Sequence, residues 1–228
     1  MNNCRHLLSV AAIALLGGVA GCMLTTNHAD DEDGQREDVQ SGVSPLSEED
    51  GCETVHAWVE RNHDNLPSTY NEVVRLPKPY RKGVFNASSP SVKSSLWRSH
   101  LSHYMESHPS MSQEQQAVLA EATAFASEEL YSGDTSEATD ARAQQILDDA
   151  KKVFSSADVG QIFTELGGSG SGGAQLDQPF CNCSLQSDQC WSQGNYKCTG
   201  NIVPCTWLGS GCGLFWTHSC NGICVGTP

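Results

Sequence analysis

Closely spaced thiols can pair as disulfides, hold a metal as thiolates or exchange electrons, and the last 48 residues of this chain hold eight of its eleven cysteines: Cys181, Cys183, Cys190, Cys198, Cys205, Cys212, Cys220 and Cys224. The intervals between them run one, six, seven, six, six, seven and three residues. A zinc site asks for duplicated C-x2-4-C pairs or histidines in support, and His218 is the single histidine of the block, so no metal is assigned. The even count instead predicts four disulfides. A segment this short buries too little apolar surface to offset its chain entropy, and covalent bridges take the place of a core. A bridge closing a short loop contributes roughly 2 to 3 kcal/mol in the chain-entropy model. Eight cysteines leave the connectivity open.

Other groups carry less chemistry. His100 and His103 stand three apart near Glu106, and His56 and His63 lie near Glu60, without the spacing of a zinc helix such as H-E-x-x-H. Glu128 and Glu129 are adjacent and do not share a helix face, so they make a poor acid/base pair. Nucleophile elbow, phosphate loop and dinucleotide fingerprint are all missing from the sequence, and no catalytic residue and no cofactor is assigned. A formal net charge of -14 repels phosphate, which excludes nucleic acid as a partner. Within the cysteine block only Asp188 and Lys197 are fixed charges, so it lacks the cationic face of most membrane-disrupting peptides. Its resource is aromatic: Trp191, Tyr196, Trp207, Phe215 and Trp216. These rings either cover the bridges or form an exposed patch, and Trp207, Phe215 and Trp216 are the candidate contact surface.

Bridges need an oxidising compartment, and the chain opens with the means of reaching one. Arg5 followed by the apolar run Leu7–Gly18 reads as a secretory signal, too short to span a bilayer as a stable helix. Its end, Val19-Ala20-Gly21-Cys22, resembles the bacterial lipobox, which predicts a signal peptide over 1–21 and lipidation of Cys22. Membrane attachment is then through the lipid anchor. With Cys4 removed and Cys22 acylated, Cys52 is left without an obvious partner, to pair between molecules or stay a free thiol; without lipid, Cys22 and Cys52 could pair. Residues 23–50 hold nine carboxylates against Arg36, so 22–51 reads as a disordered acidic tether.

Helical periodicity takes over from Cys52. Short helices are predicted over Thr54–Arg61 and Thr69–Leu76. Ser89-Pro90 starts a helix with the stripe Val92, Leu96, Trp97, Leu101, Tyr104 and Met105, and Ser112 with Gln115 forms a capping box for one that runs to Leu130. Ala143, Ile146, Leu147, Ala150 and Phe154 mark a third amphipathic segment, and Val159, Ile162, Phe163 and Leu166 a fourth. After Gly167 the run GGSGSGGA has no side chains to carry packing. The predicted fold class is mainly α: an all-α domain over 52–166, a Gly/Ser linker over 167–179, and a small disulfide-rich domain over 180–228 with little regular structure.

The elements CxCSxxSDxC at Cys181–Cys190 and GCGxxWxxxCNG at Gly211–Gly222 resemble the bacteriocin fulvocin C-related proteins. The likeness is close over 180–224 and looser over 54–166, where Leu66-Pro67, Leu96-Trp97-Arg98, Glu114-Gln115 and Leu130-Tyr131 carry it. At one place the patterns part: where that family's peptide has two half-cystines close together before Asn-Gly, this chain has His218 at the earlier place and Cys224 afterwards. The resemblance implies an exported, lipid-anchored precursor of a bacteriocin-like peptide that acts on the envelope of a target cell. The alternative is a cell-surface binding or structural lipoprotein whose cysteine-rich tail recognises a partner and is not released.

Overall fold

Serine and threonine set the helix starts. In the computed structural model, which describes residues 46–47, 50–133, 136–167, 183–200 and 206–227, Ser89, Ser112, Ser136 and Ser155 each accept a hydrogen bond from the backbone N–H three residues on. They open α4 (Pro90–Ser107), α5 (Gln113–Phe125), α7 (Glu137–Val153) and α8 (Ser156–Phe163). Before them come α1 (Cys52–Arg61), α2 (Tyr70–Val73) and α3 (Lys78–Ala87), with α6 (Glu128–Tyr131) between α5 and α7. The predicted segments 1–21 and 168–179, and the tether up to residue 45, lie outside the described residues.

The expected fold class holds: the described chain is mainly helical and ends in a cysteine-rich region with little regular structure. That region has one antiparallel pair, β1 (Tyr196–Thr199) against β2 (Ile223–Gly226), with Cys198 opposite Cys224. No helix among the described residues is long and apolar enough to cross a membrane.

Three details depart from the expectation. The helix predicted to run from Ser112 to Leu130 breaks at Ala126, and the short α6 restarts after Ser127. Helix α3 was not predicted, because Lys78, Arg81 and Lys82 with Pro79 and Gly83 conceal its apolar face of Tyr80, Val84 and Phe85. Gly83 is needed there: a Cβ would sit 2.9 Å from Val59 and 3.0 Å from Val55, so its absence lets α1 lie close on α3. Leu46 and Asp50, expected to belong to the tether, both make contacts with the folded region. Leu46 packs beside Val55 and Tyr80, and the Tyr80 hydroxyl donates to the Asp50 carboxylate.

The larger core gathers Trp97 and Leu101 of α4, Leu119 of α5, Ile146 and Leu147 of α7, and Ile162 and Phe163 of α8. His100 lies inside it, 3 % exposed, with Nδ1 3.2 Å from the Tyr70 hydroxyl and Nε2 3.1 Å from the Gln161 carbonyl. Burial outweighs the backbone hydrogen bonds to Gln161 and Ile162 and pushes its pKa down to about 4 from an ordinary 6.5. The unfolded chain therefore binds the proton more readily between those values. Stability is fully present above pH 6.5 and falls as pH drops toward 4, by about 3 kcal/mol for this group. Urea unfolding between pH 7 and pH 4.5 should show that decline, and His100→Gln should flatten it; an unchanged slope in the variant would contradict the assignment.

Candidate functional site

The cysteine block begins and ends in covalent clasps. Cys183 pairs with Cys198, Cys190 with Cys224, and Cys212 with Cys220. The sulfurs of Cys183, Cys190 and Cys198 lie within 4.8 Å of one another, yet each is bonded to sulfur and has no thiolate to offer a metal. Cys181, Cys205 and Cys22 lie outside the described residues. Cys52 is corrected: it is disulfide-bonded, and because the other six described cysteines pair among themselves its partner lies outside those residues. Bridges of this number mark an exported chain, since reducing compartments do not keep them.

Two of the three rings expected on the contact surface, Phe215 and Trp216, are buried instead. Phe215 and Trp216 are 0 % and 1 % exposed and belong, with Leu214, to the core cluster of the helices. The Phe215 ring lies 5.2 Å from Phe125 and 5.5 Å from both Trp97 and Phe163. Trp216 meets Phe85 edge-on at 5.4 Å and donates its indole N–H to the Thr164 carbonyl at 2.8 Å. Trp207 is half-buried, its ring stacked on His56 of α1 at 4.6 Å. The large apolar side chains exposed among the described residues are Leu185 and Val225.

A tight loop aims these rings inward. The backbones of Cys212 and His218 exchange two hydrogen bonds of 3.0 Å, and the Cys212–Cys220 bridge closes the loop behind them. At its tip Phe215 and Trp216 take φ of 53° and 56°, a left-handed conformation rare for bulky residues. Two such residues cost about 1 to 3 kcal/mol each, and burial of both rings offsets that. The Tyr131 hydroxyl donates to the Phe215 carbonyl, and Asn86 of α3 grips the same region, its Nδ2 on the Trp207 carbonyl and its Oδ1 accepting from the Ser210 N–H, both at 3.1 Å. Lys82, 2 % exposed, brings Nζ to 3.1 Å from Cys212 Sγ and 6.0 Å from the centre of the Trp216 ring.

The helical region and the tail, predicted to pack apart across 167–179, are thus one compact unit over Ser44–Pro228. The linker composition misled because it reports stiffness and not contacts.

Docking of the tail creates a cleft of about 440 Å³. Asn86 and Lys93 line it from α3 and α4, Tyr131 from α6, and Ser210, Thr217 and His218 from the tail. Lys93 Nζ is 3.3 Å from Ser210 Oγ and 5.4 Å from the centre of the Phe85 ring. His218 Nε2 is 3.3 Å from the Asp140 carboxylate. Sequence reading missed this site because Lys93 and His218 stand far apart in the chain. The histidine groups noted in the sequence do not converge: His103 faces Glu106 at 3.7 Å and the half-buried His56 faces Glu60 at 3.6 Å, while His100 is turned to Tyr70 and Gln161.

Comparison with family models, curated proteins and solved structures found no match.

Truncating Trp216 to Ala removes a ring from a closed core and should lower stability by about 3 to 5 kcal/mol. A chain ending at residue 179 should lose cooperative thermal melting, since Trp97, Phe125 and Phe163 lose the ring they pack on. Retention of full helical circular dichroism and a sharp melt by that truncation would show that the helices stand alone.

Proposed function

We propose that this chain is an exported envelope lipoprotein, held by a lipid on Cys22, whose cysteine-rich tail stays in place and forms one wall of a binding cleft. The observation that carries the reading is the burial of Phe215 and Trp216 among the helices. A peptide destined for release would have to withdraw both rings, exposing the apolar lining of α3, α4 and α8 to water. At about 25 cal/mol per Å², and with two large aromatic rings of roughly 150 to 250 Å² each, that withdrawal costs several kcal/mol before any hydrogen bond is counted.

The cleft supports the same reading. Its lining comes from α3, α4 and α6 on one side and from the tail on the other, so neither part makes it alone. Junctions between packed segments are common places for ligand sites, and the polar groups in them fix a ligand's orientation.

A second reading keeps its support in the sequence elements CxCSxxSDxC and GCGxxWxxxCNG, whose likeness to the fulvocin C-related proteins favours a bacteriocin-like peptide liberated by cleavage in 167–179. In that case the helices act as a cover over the rings.

Mass spectrometry of envelope and medium fractions separates the two. The retained-module reading expects the chain intact in the envelope, beginning at a diacylated Cys22, and expects Cys22→Ser to move it out of the detergent phase. A free peptide from the 180–228 region in the medium, inhibiting related bacteria, would overturn it.

A further inference from the structure

Lys93 stands in an unusual position for a lysine of so acidic a chain. Its ammonium is half-buried beneath Ser210 and against the Phe85 ring, and among the described residues it makes no ion pair, although the chain carries 27 Asp and Glu. Burial lowers its pKa, which shows that the site withdraws solvation from the charge without supplying a carboxylate in return. An anion entering the cleft would supply one. The imidazole of the lining, His218, faces the Asp140 carboxylate at 3.3 Å. One unmatched positive charge calls for one negative charge, which suits a carboxylate better than a phosphate dianion.

Among the described residues the rest of the lining is mostly neutral and polar. Asn86 and Gln186 contribute amides, and Ser210, Thr217 and Ser219 hydroxyls, beside the Leu130 side chain and the Tyr131 ring. Amides and hydroxyls both donate and accept, the pairing that a ligand bearing several hydroxyl groups needs. The cleft, about 440 Å³, lies in the size range of small-ligand sites.

We infer that this cleft binds an acidic sugar of the uronic acid class, its carboxylate against the Lys93 ammonium and its hydroxyl groups against Asn86, Ser210 and Thr217. The inference rests on the binding-module reading and names its ligand. It gives the docked tail a purpose, because Ser210 and Thr217 reach the cleft only while the Phe215 and Trp216 rings are inserted in the helical core.

Titration calorimetry on the intact, oxidised protein tests this, with D-glucuronate, D-glucose, acetate and inorganic phosphate as probes. Glucuronate should bind at least about tenfold more tightly than glucose or acetate, and more tightly than phosphate. Lys93→Met, which keeps the length of the stem, should weaken glucuronate about tenfold or more and leave glucose unchanged, whereas Lys93→Arg should retain part of the affinity. Should Lys93→Met fail to fold, Ser210→Ala serves instead, with weaker glucuronate binding expected while the charge stays. Absence of heat with glucuronate, equal binding of glucose or acetate, a preference for phosphate, or indifference to these substitutions would each overturn the inference. None of those results bears on envelope retention, which the fractionation reads independently.

Discussion

Insertion of the Leu214-Phe215-Trp216 turn between the helices is the interaction on which the rest of this structure depends. Helix α3 owes its place to it, because Phe85 packs on Trp216 and Val84 joins the same core, while Tyr80 turns toward the neighbouring cluster of Val55 and Val59. Helix α8 is tied to the same turn through the Thr164 carbonyl and the Phe163 ring. The contact is mutual. The tail without the helices would present two large rings to water, and the helices without the tail would enclose a space sized for two aromatic side chains, a cavity that interiors of normal density do not tolerate cheaply.

Such an insertion has requirements that the sequence meets in unexpected ways. A loop able to drive two adjacent bulky residues into the left-handed region must be closed tightly, and the Cys212–Cys220 bridge, the paired backbones of Cys212 and His218, and Gly211 and Gly213 at φ of 117° and 74° close it. Bridges in this tail therefore do more than replace a missing core. They stiffen a loop that completes the core of another segment. In the same loop His218 joins the backbone pairing and reaches Asp140 of α7.

Much of this was readable in the sequence. Ser89-Pro90 and the Ser112/Gln115 box mark real helix starts, and the stripes Leu96, Trp97, Leu101 and Ala143, Ile146, Leu147, Ala150 are buried as their periodicity requires. Local signals of this kind are written within a few residues of the elements they specify. The unread parts are those set by distant contacts. Helix α3 looked like a small basic cluster because burial of Lys82 against a disulfide sulfur has no local signature. Glycine and serine before the tail suggested separation, yet nothing in linker composition forbids the segments it joins from docking. Lys93 and Ser210, 117 positions apart, form a contact that depends on that docking and is invisible without it.

The central claim, that helices and tail form a single cooperative unit, is tested most directly by native-state hydrogen exchange. The amides of Cys212 and His218, bonded to each other's carbonyls in the tail, should open with the same free energy as that of Phe154, bonded to Ala150 at the end of α7, and with the same denaturant dependence. Reading out both sets in one experiment requires no substitution and no truncation. Exchange of the tail amides at a markedly lower free energy, with the helical amides still protected, would contradict the claim and return the tail to the status of a separate domain.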